Sequence, residues 1–282
     1  MFRRLLFMAL LAPLMVGSAY AQEGGGAAAA VNPSAPLSQL QFQNTFIPES
    51  YGGSGYANQF IVQPVIAVNR KPDSYFPYHI IRPTLPILAP TSDPDGPVFD
   101  VGGLGDTTYF DLYIHPIKKG VNYAIGPVAV LPTSTSLQLG AGEWQLGPAF
   151  AYIDAALFED LTFGALVEAP FSLESDIYSV TVQPIFTKLL GNEWFAGVGD
   201  LAWKFDDQDG NYNIPLSLQL GKVIKAGELP LKIFLQPQYT PAGLTSQATA
   251  NYGVKLSVSF LLPGATFGYD EEKHCARCGG RR

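Results

Sequence analysis

Most of the chain beyond residue 38 alternates apolar and polar side chains with a period of two residues. In residues 250–262 the alternation is nearly perfect: Tyr252, Val254, Leu256, Val258 and Phe260 are interleaved with Asn251, Lys255, Ser257 and Ser259. This period is typical of a β-strand, whose successive side chains point to opposite faces of a sheet. The pattern therefore predicts an all-β fold.

The alternating segments are long for strands of a soluble protein. We identify them at residues 38–47, 58–68, 78–88, 105–116, 121–131, 143–153, 161–171, 177–189, 194–205, 211–223, 230–240 and 250–262. Soluble strands usually span about five or six residues, whereas a tilted strand that crosses a bilayer needs roughly 9–11. In a membrane barrel the apolar face contacts lipid, the polar face lines the lumen, and the sheet closes because lipid cannot satisfy a strand edge. We predict a closed antiparallel transmembrane β-barrel of about 12 strands over residues 38–263.

Composition excludes several other classes of protein. Charged residues make up 15% of the chain, against roughly a quarter in soluble domains. The 18 Phe, 14 Tyr and 3 Trp provide too much apolar surface for a disordered chain. Two cysteines do not make a disulfide scaffold, and the net charge of −7 disfavours nucleic acid as a partner. A soluble β-sandwich with an aromatic core stays open as an alternative.

The N-terminus has the pattern of a secretory signal. Arg3 and Arg4 precede an apolar stretch, and Ala19-Tyr20-Ala21 fits a cleavage site. We predict a cleaved signal peptide over 1–21, a mobile low-complexity periplasmic lead-in over 22–37 and a flexible periplasmic tail over 264–282. An uncleaved anchor helix is the alternative for the first segment. The expected location is the outer membrane of a Gram-negative bacterium.

Connection lengths and aromatic residues suggest how the barrel lies in the membrane. Short and long connections alternate, and bacterial barrels have short periplasmic turns and longer outer loops, so we expect both termini in the periplasm. This topology places one group of outward-facing aromatics at the outer interface, namely Phe60, Trp144, Phe171, Tyr178, Tyr212, Tyr239 and Tyr252. A second group falls at the periplasmic interface: Tyr152, Phe163, Phe186 and Phe195.

Several phrases of the sequence resemble a known family in order and spacing. They are VQPVI (62–66), RPTLPIL (82–88), GLGDTTYFDLYIHP (103–116), YAIGPVAVLPTST (123–135), LGAGEWQLGPAFAY (139–152), LQLGKVIKAGELPLKIFLQPQY (218–239) and VSFLLP (258–263). Together they resemble the outer-membrane transporters grouped with the MetA-pathway of phenol degradation proteins, whose relatives are often mislabelled neuromedin U. The resemblance covers roughly residues 38–263. It implies an outer-membrane barrel with a role in uptake, and it supplies neither a substrate nor functional residues.

The alternation along each strand identifies the residues that should face the lumen. They are Gln59, Gln63, Arg82, Asp111, Glu168, Gln183, Asp200, Lys204, Lys232, Gln236 and Lys255. Their charges nearly balance, which predicts either a weakly selective passage or ion pairs that brace the barrel. Three of these glutamines, Gln63, Gln183 and Gln236, directly precede a proline. They either line a constriction or accompany a proline that only shapes its strand.

No catalytic site, cofactor or metal is expected. Of the three histidines, His79 and His115 have no evident serine partner, and the chain has no G-x-S-x-G motif. Parity predicts that His115 faces the lumen near a periplasmic turn. In the tail, His274, Cys275 and Cys278 supply three potential zinc ligands, one fewer than a closed site needs, and the two cysteines could instead form a disulfide.

The functional expectation is a monomer-capable outer-membrane barrel that acts as a passive channel or uptake porin for small molecules. A non-conducting structural or surface-interaction barrel is the alternative, and an opening for hydrophobic compounds is a third possibility that only the family resemblance suggests. The expected partners are outer-membrane lipids, the barrel-insertion machinery and an unknown small-molecule solute.

Overall fold

A computed structural model of the chain describes residues 27–50, 56–89, 102–206, 210–227, 229–246, 250–263 and 267–269. Within these ranges twelve strands, some of them interrupted, form the wall of a barrel. They are β1 (Ser38–Ser50), β2 (Ala57–Asn69), β3 (Tyr78–Ala89), β4 (Gly103–Leu104 and Thr107–Lys118), β5 (Val121–Leu131), β6 (Gln145–Phe158), β7 (Leu161–Glu168 and Phe171–Ser172), β8 (Ser179–Gly191), β9 (Trp194–Val198 and Trp203–Asp206), β10 (Asn211–Asn213, Leu216–Ser217 and Gln219–Ala226), β11 (Leu229–Tyr239) and β12 (Ala250–Leu262).

Every strand pairs antiparallel with its neighbours in the chain, and the first strand closes the sheet against the last. On β1, Gln43 lies opposite Ile61 of β2 on one side and opposite Ser257 of β12 on the other. The sheet therefore closes on itself, as a barrel in lipid requires. The predicted closed antiparallel barrel of 12 strands is confirmed.

The two ends of the barrel differ in the length of their connections. One end, called here the turn end, has the connections at 70–77, 119–120, 159–160 and 192–193. Its two-residue turns require left-handed backbone, and Gly120 (φ 80°), Asp160 (φ 60°) and Asn192 (φ 51°) supply it. The opposite end, called the loop end, has longer connections such as 132–144.

The side chains on the outer face of the wall are apolar and exposed, whereas those on the inner face are largely buried. On β12, Val254 and Leu256 are exposed, whereas Lys255, Ser257 and Ser259, which alternate with them, are buried. Phe150 on β6 and Phe186 on β8 are also exposed on the outer face. This inversion of the soluble pattern is the one that a lipid solvent favours, because apolar side chains face out and polar ones face in.

Residues 27–37 differ from the mobile lead-in that the sequence predicts. They contain a short helix, α1 (Ala27–Val31), and lie inside the barrel at its turn end. After β12, a two-residue strand (Phe267–Gly268) pairs in parallel with the end of β2. The predicted signal peptide and the residues His274, Cys275 and Cys278 lie outside the described residues. None of the described helices is long and apolar enough to cross a membrane.

Candidate functional site in the barrel lumen

The lumen segment, residues 27–37, forms the floor of the lumen at the turn end. Its alanines pack against Phe195, Phe234 and Leu261 of the inner wall. Small side chains suit this position because a helix backbone must fit inside a narrow barrel. Three hydrogen bonds from the wall hold the segment in place. Lys232 Nζ donates to Ala30 O (3.1 Å). Tyr78 Oη donates to Ser34 O (2.9 Å), and Asn122 Nδ2 donates to Ser34 Oγ (2.8 Å).

Above this floor lies a cavity of about 150 Å³, the turn-side cavity. One part of its wall is apolar and comes from β3 to β7, including Ile80, Phe110, Leu112 and Leu166. Another part carries amides from β1, β2, β8 and β10, namely Gln41, Gln63, Gln183 and Gln219. The cavity can therefore contact both an apolar surface and a hydrogen-bonding group of one small molecule.

A charged pair crosses the apolar part of the wall. Arg82 Nη2 on β3 lies 3.8 Å from Glu168 Oε1 on β7, and the Arg82 guanidinium lies 4.1 Å from the centre of the Phe110 ring. Both charged side chains are mostly covered. A buried ion pair of this kind fixes geometry more than it adds stability, because desolvation offsets the Coulomb attraction.

The inward segment, residues 199–202, interrupts β9 and reaches across the lumen. Asp200 has left-handed backbone (φ 54°), a conformation that non-glycine residues seldom adopt outside turns and functional sites. Gln43 Nε2 donates to Asp200 Oδ2 (2.6 Å), and Lys255 Nζ donates to Asp200 O (2.6 Å). Gln236 Nε2 donates to Gly199 O (2.6 Å). These contacts tie β9 to strands β1, β11 and β12, none of which is its neighbour in the sheet.

On the other side of the inward segment lies a second cavity of about 330 Å³, the loop-side cavity. Its lining includes Thr45, Gln59, Gln238 and Lys255, and Asp200 lines both cavities. Asp200 thus lies between the two cavities.

The structure places most of the predicted lumen residues on the inner face. Gln59, Gln63, Arg82, Gln183, Asp200, Lys232 and Lys255 line one or both cavities. Glu168 contacts Arg82, and Gln236, which is fully buried, also donates to Ser217 Oγ (2.8 Å). Lys204 shares the inner face but lies near the loop end, where it pairs with Asp206 (3.3 Å) and is 53% exposed.

Three face assignments from the sequence are wrong. Asp111 lies opposite Ile81 on the outer face, because the inward positions of β4 are the apolar Phe110, Leu112 and Ile114. His115 lies four residues after Asp111 on the same strand, so its side chain also points outward. Phe195, expected at the lipid interface, points inward and packs under the lumen segment.

The aromatics predicted at the outer interface gather towards the loop end on the outer face. Phe60, Trp144, Phe171, Tyr178, Tyr239 and Tyr252 are all exposed there, and Tyr212 is half-buried opposite Phe205. Tyr239 and Tyr252 stack on each other with ring centres 5.0 Å apart. Such a band is what amphipathic rings form at a membrane interface.

Sequence reasoning missed the two segments that narrow the lumen. The lumen segment has no period-two pattern, and its alanine run reads as low complexity. The inward segment had a signal: the alternation of β9 fails at Gly197-Val198-Gly199-Asp200. Within the described ranges, no cluster of three or more His, Cys, Asp or Glu residues could hold a metal ion.

Comparisons with known proteins give structural matches only. No family model and no curated protein matches the chain. The crystal structure of the COG4313 outer membrane channel from Pseudomonas putida F1 is similar with a TM-score of 0.61 at 14% sequence identity, covering 80% of this chain and 94% of that chain. The KdgM porin in complex with disordered oligogalacturonate matches with a TM-score of 0.46 at 9% identity, covering 79% and 98%. At 14% identity the likeness to the COG4313 channel shows a shared barrel fold.

Proposed function

We propose that this chain is a passive channel for small molecules in the outer membrane of a Gram-negative bacterium. The observation that carries the proposal is a closed barrel with an apolar outer face and two cavities inside, both with polar groups in their lining. We take Asp200, which lines both, as the constriction between them. The fold shared with the outer membrane channel of Pseudomonas putida F1 supports it. We also propose that the chain belongs with the MetA-pathway of phenol degradation proteins, on the strength of the sequence phrases they resemble.

The route runs from the loop-side cavity past Asp200 into the turn-side cavity, and leaves past the lumen segment. Charges along this route are mixed, since Arg82 pairs with Glu168 (3.8 Å) and Lys255 with Asp200 (3.6 Å), while Lys232 contacts the Ala30 carbonyl. A pore with strong ion selectivity would present one sign of charge at its constriction. The mixture supports weak selectivity among ions.

The solute class follows from the two-part wall of the turn-side cavity. An apolar body can contact the side of Phe110 and Leu112, while a hydroxyl, carbonyl or carboxylate reaches the amides of Gln63 and Gln183. Ligand sites commonly combine a mainly apolar lining with a few polar groups. Small amphipathic solutes therefore fit this chamber better than sugars, which are polar on all sides.

Single-channel recording of the purified full-length protein in planar bilayers tests the proposal. We expect discrete current steps with weak preference between potassium and chloride. Complete absence of current above background would contradict the channel and favour the alternative, a non-conducting barrel. One observation favours that alternative: the lumen segment and the inward segment both occupy the lumen.

The proposed constriction has its own test. Asp200→Ala removes the carboxylate that Gln43 and Lys255 hold, and loss of one charge-assisted hydrogen bond of about 1.5–3 kcal/mol shifts an open–closed equilibrium about tenfold or more. We expect a higher open probability. Lys204→Gln, on the same face but outside the constriction, is the matched control and should leave the current unchanged. Equal changes in open probability in both variants would show that Asp200 does not control the constriction.

The orientation of the barrel is part of the proposal. A cysteine placed in 132–144 at the loop end should react with an impermeant maleimide on intact cells. A cysteine at 119–120 should react only after the outer membrane is permeabilised. The reverse pattern would invert the topology and place the termini outside.

A further inference from the structure

The outer face at the turn end carries a polar and aromatic cluster that a lipid-facing wall does not need. It comprises Arg70, Tyr75, His79, Asp111, Tyr113 and His115, and is called here the turn-end cluster. It lies where β2, β3 and β4 meet the connection 70–77. Neither the lumen nor the proposed transport route uses it.

One half of the cluster is a stack that ends in a guanidinium. His79 stacks on Tyr113 with ring centres 4.8 Å apart, and the Arg70 guanidinium lies 5.5 Å from the centre of the same tyrosine ring. His79 Nδ1 is 2.5 Å from Asp111 Oδ1, and the two side chains are only 14% and 16% exposed although both lie on the outer face. Asp111 thus fixes the His79 ring, which supports the platform under Arg70.

The other half is a second aromatic stack, one pair of positions closer to the turn. His115 stacks on Tyr75 with ring centres 4.0 Å apart. The hydroxyl groups of Tyr75 and Tyr123 are 2.6 Å apart. Aromatic rings with polar edges favour the headgroup layer of a membrane, and one of the rings here, that of Tyr113, lies directly under the Arg70 guanidinium.

The charge around the cluster is mainly positive. Arg70 and Lys71 are exposed on one connection together with one carboxylate, Asp73, and Lys118 and Lys119 are exposed on the next. In the part of the chain that the structure describes, Arg70 makes no ion pair with a carboxylate. Its donors are therefore available to an anion, and a guanidinium matches a phosphate group with two parallel hydrogen bonds.

We propose that the turn-end cluster binds the phosphate headgroup of an anionic glycerophospholipid in the adjacent membrane leaflet. Arg70 contacts the phosphate, Lys71 and the lysine pair add attraction, and the tyrosine and histidine rings pack beside the glycerol region. A lipid is favoured over a soluble anion because the cluster lies on the outer face, next to the exposed apolar wall that acyl chains cover. Basic groups at a membrane surface are known to recruit anionic lipids.

Native mass spectrometry of the detergent-solubilised full-length protein tests this site, with phosphatidylglycerol or phosphatidylcholine added in turn. We expect bound phosphatidylglycerol on the unaltered protein and about a tenfold weaker affinity in the Arg70→Gln, Lys71→Gln double variant, which loses charge-assisted contacts. Tyr113→Leu, which keeps every charge but removes the platform, should show a partial loss. Heat-dependent gel mobility verifies that each variant is folded.

Lys222→Gln is the matched control. Lys222 is also at the turn end, with its ammonium 5.1 Å from the centre of the Trp194 ring, but it lies on strands outside the cluster. Its variant should retain phosphatidylglycerol fully. Equal binding of the two lipids, unchanged binding in the Arg70 and Lys71 variant, or the same loss in Lys222→Gln would overturn the site. These outcomes are independent of channel current, so they leave the transport proposal unaffected.

Discussion

Two sectors of the inner wall solve the problem of filling a barrel in different ways. In the polar sector, formed by β11, β12, β1 and β2, buried Gln, Ser, Thr and Lys side chains face the lumen and bond across it. In the apolar sector, formed by β3 to β7, the inward residues are mostly Val, Ile, Leu, Phe and Ala, packed as one cluster. The polar sector resembles the wall of a water-filled barrel, and the apolar sector resembles the core of a soluble protein.

This difference explains where the alternation of the sequence assigns faces correctly. On β12 the lumen face is polar and the lipid face is apolar, so parity identifies both. On β4 the inward residues Phe110 and Leu112 are apolar, while Asp111 lies outward against His79. The assumption that polar side chains point inward therefore fails on β4, because both the lipid and the apolar cluster inside the barrel accept apolar side chains.

The largest expected effect separates the two faces of the apolar sector. Phe110→Ala empties a position that is 4% exposed inside the cluster, and such a cavity costs about 3–5 kcal/mol of the free energy of unfolding. Phe150→Ala is the control, because Phe150 is 47% exposed on the outer face and lipid can fill the space that it leaves. Urea unfolding in lipid vesicles measures both. Equal losses would show that the apolar sector is not packed as a core.

A smaller effect is expected in the polar sector, where bonds rather than packing hold the wall. Gln236→Leu removes two donated hydrogen bonds, to Gly199 O and Ser217 Oγ, and leaves buried acceptors unsatisfied at a cost of about 1–3 kcal/mol. Gln183→Leu is the control, since Gln183 lines the lumen but makes no side-chain hydrogen bond to another described residue. The same unfolding assay applies. If the control loses as much, lumen glutamines act through solvation rather than through specific bonds.

The barrel itself could be predicted from the sequence because lipid imposes one simple rule on every strand. The bounds of β5 and β12 agree with the predicted segments 121–131 and 250–262. The lumen contents could not be predicted, because they depend on contacts between distant segments. Lys232 with Ala30, and Asp200 with Gln43, are pairs that no local pattern marks. Local alternation thus predicts which face a side chain lies on, but not which distant residue it contacts.

The smallest expected effect concerns the loop end of the apolar sector, where the carboxylate of Glu143 holds two neighbouring loops together at the surface. Hydrogen bonds from the Ser175 and Ser172 hydroxyls lower the pKa of the Glu143 carboxyl below its ordinary value. Because the pKa of Glu143 is lowered in the folded state, the contact stabilises the loops fully when the pH is above the ordinary glutamate pKa, about 4.3. This stabilisation is lost as the pH falls through the lowered pKa of the folded state. Amide exchange of Glu174 and Ser175, whose N–H groups donate to Ser172 Oγ, should lose protection in that acid range. In Glu143→Gln the protection should be low at neutral pH and independent of pH. A loss of protection at the same pH in that variant would assign the effect to another carboxylate.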